Sequence, residues 1–181
     1  VSGILSHYYE SISFLENFII SNDLIPKGIN KKIKLNFAPL YIQSGTLGYL
    51  LGHHPQNYHS EVLYHIRVNE DAGKLFPLIL QEIDLMNAKY IFPGHIIQIA
   101  NAQKYSSPIR YMFPDPLNSA GWKIYATQMI LNEGLRDPDN VYHILTLREE
   151  LMGICQTIIE GEYYSGNIKR KDALLYLRKE T

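Results

Sequence analysis

The chain has 181 residues, 46% of them apolar and 19% charged, with a formal net charge of -1. That balance excludes a disordered chain and leaves no electrostatic case for nucleic acid. A single cysteine, Cys155, excludes an internal disulfide, and no apolar run reaches the ~20 residues that a membrane-spanning helix needs. Cys155 lies in an apolar helical pattern and reads as a small core residue.

Ile4, Tyr8, Ile12, Leu15 and Ile19 recur at helical spacing and predict an amphipathic helix over residues 4–21. Pro26 and Gly28 break the chain. Ile33, Leu35 and Phe37 alternate with polar residues and predict a short strand. Residues 45–58, with glycines, a proline and His53-His54, read as a loop. Val62, Tyr64, Ile66 and Val68 predict the best strand in the chain.

A helical pattern runs from Leu75 to about Ile91, Pro93-Gly94 interrupts it, and a second begins near His95. Residues 104–119 hold three prolines and read as a loop. Trp122, Tyr125 and Met129 mark one face of a helix that stops near Gly134. Asp137-Pro138-Asp139 reads as a helix start, with an acid at the cap and proline in the first turn. That helix carries Val141, Leu145, Cys155, Ile158 and Ile159, and Gly161 is placed to end it. A last helix follows Lys169-Arg170-Lys171 and runs to about Lys179. The expected fold class is mainly α with a small β-sheet, and residues 1–181 read as a single domain.

Four histidines, His53, His54, His59 and His65, are close in sequence. Neighbours on an extended segment point to opposite sides, and no cysteine or placed acid joins them, so a polar loop is the ordinary reading. Lys27, Lys31, Lys32 and Lys34 read as a solvated strand face.

The stretch Lys89-Tyr90-Ile91-Phe92-Pro93-Gly94-His95-Ile96-Ile97-Gln98 resembles the H-E-x-x-P-G-H-x-x-Q motif of a bacterial family, domain of unknown function eight-eight-five. Other segments follow in the same order. Asp23, Leu24 and Pro26 resemble a helix-to-strand entry. Arg67-Val68-Asn69 resembles the segment before the motif helix. Ala120-Gly121-Trp122-Lys123-Ile124-Tyr125 resembles E-G-W-x-x-Y. Gly134-Leu135 with Asp137-Pro138 fits the next turn. Ile158-Ile159-Glu160 through Tyr164 resembles V-V-D-x-x-x-H, and Ala173 keeps the alanine of the final helix.

The resemblance implies a zincin-like helical metallopeptidase outline, of which this chain is the C-terminal part. It also implies a metal site, and here that site is changed. The first ligand histidine falls on Lys89, the general-base glutamate on Tyr90, the third ligand on Ala120, a late arginine near Gln156 and a late histidine on Tyr164. His95 is the one retained ligand type. One imidazole does not hold a catalytic zinc, and the ammonium of Lys89 repels a dication. No metal or other cofactor is therefore expected.

Tyr64, Gln98, Trp122 and Tyr125 are candidates to line a remaining groove, although Trp122 and Tyr125 also suit a core. Tyr90 and Tyr164 are expected to fill the space the metal left, with their hydroxyls on Lys89 or Gln156. The strand at Val62–Val68 is expected to flank the old cleft and to offer its edge to an extended peptide.

Three readings stay open. The first is a non-catalytic module that binds a peptide or protein. The second is a zinc hydrolase that recruits ligands outside the motif. The third is a structural subdomain of a larger protein. The chain shows no signal-peptide pattern, which leaves export of a longer protein open.

Overall fold

The computed structural model describes residues 2–26, 32–38, 48–51, 61–66, 76–105, 115–135 and 140–180, with residues 107, 109 and 113. The elements are α1 (Ser2–Ser21), β1 (Ile33–Phe37), β2 (Gly48–Leu51), β3 (Val62–Ile66), α2 (Phe76–Tyr90), α3 (His95–Tyr105), α4 (Pro116–Asn132), α5 (Val141–Tyr164) and α6 (Arg170–Glu180). The fold is mainly helical with a small sheet. The chain divides into two compact units, residues 1–136 and 137–181.

In the first unit, the α1 stripe Tyr8, Ile12, Leu15 and Ile19 is buried. Burial of each such side chain contributes about 2 kcal/mol. Polar ties fix how α1 lies on α2. Asn87, fully buried, donates from Nδ2 to Ser11 Oγ at 2.9 Å. His7 Nε2 lies 3.2 Å from Asp84 Oδ1. Asp23 then ends α1 in the left-handed region at φ 53, where the Leu24 amide reaches the Ile19 carbonyl and the Asp23 amide reaches that of Ile20. That is the six-to-one and five-to-two closure usually made with glycine.

The sheet order is β1-β3-β2, with β3 parallel to β1 and antiparallel to β2. Two expectations fail here. First, β2 occupies Gly48–Leu51, inside the stretch read as a loop. Its pairing with β3 is a long-range contact that composition does not announce. Second, β3 is the central strand, with Val62 to Ile66 paired on one side and Leu63 to Ile66 on the other. Its backbone groups are therefore already bonded, and it has no edge to offer a peptide. Residues 67–68, the expected end of this strand, lie outside the described residues, as do His53, His54, His59, Lys27 and Lys31.

The face of β3 with Val62, Tyr64 and Ile66 is buried, and the Tyr64 ring lies 6.1 Å from the Tyr8 ring of α1. Helix α2 packs on α1, and α4 packs on both α2 and α3. Helix α4 starts at Pro116, within the expected loop, because Asp115 caps it by accepting from the Leu117 amide at 2.9 Å. Gly134, at φ 81, ends it as expected.

In the second unit α5 packs with α6, and Leu145, Cys155, Ile159 and Ala173 are buried. The expected start at Asp137-Pro138-Asp139 lies outside the described residues, and α5 begins at Val141. Gly161 does not end it. The helix continues to Tyr164, and the left-handed glycine is Gly166, at φ 76. A glycine inside a helix weakens it by about 1 kcal/mol but does not stop it.

Candidate site at the bend between α2 and α3

The bend Ile91-Phe92-Pro93-Gly94 is buried, and it brings the end of α2 against the start of α3. The peptide between Phe92 and Pro93 is cis. Gly94 sits on the end of α2 so closely that a β-carbon would overlap the Lys89 carbonyl group. From α4, the Trp122 indole N–H is shared between the carbonyls of Pro93 at 3.2 Å and Gly94 at 3.0 Å. Pro93, Gly94 and Trp122 thus form one structural unit, in which the indole gives the Pro93 carbonyl a partner and adds to the bonds that the Gly94 carbonyl accepts from the Ile97 and Gln98 amides.

This bend sets His95 at the first turn of α3. Its Nδ1 is 3.0 Å from Gln98 Oε1, and Gln98 Nε2 donates to Asn118 Oδ1 at 2.7 Å and to the Asn118 carbonyl at 3.4 Å. Because the amide nitrogen donates to Asn118, its oxygen accepts from His95. The proton of the neutral ring therefore sits on Nδ1, and Nε2 keeps its lone pair.

The Tyr90 ring lies 6.1 Å from the His95 ring, and Lys123 Nζ stands 5.1 Å from the centre of the Tyr90 ring. That places an ammonium on an aromatic face beside the imidazole. The His95 pKa is lowered. Burial is the main cause, and the Lys123 charge adds to it against the opposing bond to Gln98.

The sign follows. A histidine whose pKa falls on folding stabilises the fold fully above the ordinary value of 6.5, and that contribution is lost as pH drops below it toward the lowered value. Melting temperature should therefore fall on going from about pH 7.5 to about pH 5. His95→Gln should flatten that part of the curve, and equal slopes for the two proteins would remove the basis for this reading.

Tyr64, expected to line a groove, is 0% exposed. Its hydroxyl has no hydrogen-bond partner among the described residues. Burial raises its pKa well above normal, and Tyr8 and Tyr90 add to the shift. Burial raises Tyr8 as well. Both phenols thus stay neutral, and Tyr64 belongs to the core, with its ring against Tyr8 of α1.

Gln98, Trp122, Tyr90 and Lys89 are half-buried around His95's end of the bend, whereas Ala120 and Tyr125 are exposed on α4, Tyr125 with its ring 5.7 Å from that of Trp122. Gln156 and Tyr164 lie on α5 in the second unit. Tyr164 is 83% exposed, with its ring against Tyr163, so it does not fill a cavity. Two residues of the site, Asn118 and Lys123, were not singled out by sequence reasoning. Both flank Ala120-Gly121-Trp122, but only the fold shows that α4 aims them at α2 and α3.

The residues described around His95 do not by themselves make a zinc site. The site offers one imidazole, amides, a phenol and the Lys123 ammonium, and among the described residues no group of three or more His, Cys, Asp or Glu side chains stands together. The His95 Nε2 lone pair suits a hydrogen-bond donor, and the Lys123 ammonium suits an acceptor or an anion.

No family model and no curated protein matches the chain. A solved structure, a protein of Colwellia psychrerythraea provisionally described as a lipoprotein, matches it with a TM-score of 0.80 at 18% identity. The match covers 99% of this chain and 30% of that one. At this identity the likeness shows a shared fold. No helix among the described residues is long and apolar enough to cross a membrane.

Proposed function

We propose that the chain is a non-catalytic relative of zincin-like metallopeptidase proteins, in which the former metal centre has become a polar, cationic and aromatic binding site for a peptide or protein segment. The observation that carries this reading is Lys123 on the Tyr90 ring beside His95. An ammonium on the ring beside His95 disfavours a dication there, and the His95 side chain is tied to Gln98. The retained bend and its Trp122 clasp support a kept scaffold with altered chemistry. Peptide capture belongs to this site rather than to β3, whose two edges are occupied. The description of the Colwellia protein, of which the match covers 30%, supports an exported whole protein.

Zinc titration of the metal-free protein by calorimetry, with His95→Ala alongside, tests the reading. The expected result is no saturable one-to-one binding in either protein and no chelator-sensitive peptide hydrolysis. Tight binding lost in His95→Ala would replace this proposal with a hydrolase that recruits ligands from outside the motif.

A further inference from the structure

The second unit carries more large apolar side chains outside than inside. Its buried apolar residues are Leu145, Cys155, Ile159 and Ala173, while Ile144, Leu147, Leu151, Ile154 and Ile158 are exposed by 60, 63, 53, 58 and 51%. These five are spaced three, four, three and four residues apart on α5. That is the a/d spacing of a helix seam, extending over about 21 Å at 1.5 Å per residue. It lies beside the face that meets α6, so α5 has two apolar faces, of which one is covered.

A unit of this size cannot leave such a stripe in water, because small helical units draw most of their stability from the apolar area they cover. We infer that the stripe is the contact face for α5 of a second copy of this chain, packed antiparallel about a two-fold axis. In that arrangement Leu151 meets Ile154 of the other copy, and Leu147 meets Ile158. The flanking positions agree: Glu150 then faces Thr157 and His143 faces Tyr164, so no two like charges oppose.

Five aliphatic side chains more than half exposed amount to roughly 500 Å² per copy, or about 1,000 Å² for the pair, the size at which a specific interface begins. The chain's net charge of -1 adds little repulsion between copies. A lipid surface is a poorer occupant, since α5 holds four glutamates against one arginine.

Sedimentation equilibrium of the 181-residue chain, from about 1 to about 100 μM, tests the pairing. The expected result is a reversible monomer–dimer equilibrium in this range. Leu151→Lys and Ile154→Lys should each weaken it by about 100-fold with the helical circular dichroism retained. Glu160→Lys, an exposed substitution off the stripe, should leave it unchanged. A wild-type chain that stays monomeric throughout overturns the inference and gives the stripe to a different chain or to a further segment, of the kind that makes up the rest of the Colwellia protein. A dimer indifferent to both lysine variants overturns it as well, because the copies would then meet elsewhere.

Discussion

Gly94→Ala is expected to destabilise the first unit by about 3 kcal/mol, lowering its melting temperature by about 10 °C. The added β-carbon would overlap the backbone carbonyl of Lys89. A flexible side chain could swing aside, but a carbonyl held at the end of α2 moves only if the helix end or the bend opens. Either movement also pulls the Pro93 and Gly94 carbonyls away from Trp122. Gly121→Ala supplies the contrast. That glycine is helical and exposed, and nothing stands within 4 Å of an added β-carbon. It should raise stability by about 0.5–1 kcal/mol through helix propensity and the unfolded chain. Thermal melts of the two variants check both expectations, and similar melting temperatures would mean that the bend tolerates a side chain.

The second large effect is expected at Tyr64. Tyr64→Ala should cost about 3–5 kcal/mol, because it empties an aromatic volume that is 0% exposed and in ring contact with Tyr8. Tyr64→Phe should be neutral or stabilise by about 1 kcal/mol, since it removes a hydroxyl taken out of water with no hydrogen-bond partner among the described residues. Chemical denaturation of both variants measures this. A loss of 2 kcal/mol or more in Tyr64→Phe would show that the hydroxyl has a bound partner in solution.

Local periodicity made much of the fold legible. The α1 stripe, the strands at Ile33 and Val62, the Pro93-Gly94 break and the Gly134 stop all follow from spacing or from backbone freedom within a few residues. The start of α4 was legible in principle. Asp115-Pro116 carries the same acid-proline signature that was read at Asp137-Pro138, but the prolines around it outweighed the cap.

Other features were not local. β2 is a four-residue strand defined by its pairing with β3, and no short window contains both partners. Tyr64 alternates correctly for a strand, but alternation does not say whether a face meets solvent or a helix. In the site, the motif located His95, Gln98 and Trp122, and the ring contact of Tyr90 with His95 is local to it. Asn118 and Lys123 became visible only when α4 was placed against α2 and α3, because their contacts join residues 20 or more positions apart.

The polar tie from Asn87 to Ser11 joins residues 76 positions apart, and the contact of His7 with the Leu80 carbonyl joins residues 73 apart. During synthesis α1 therefore leaves the ribosome long before its docking partner exists. At about 5–20 residues per second, the wait for Asn87 is roughly 4–15 s. Through that interval the face with Tyr8, Ile12, Leu15 and Ile19 has no helix α2 to lie on. Nascent α1 is then an exposed amphipathic segment, the sort of surface that chaperones hold, and the first unit closes only after the chain has been made past residue 87.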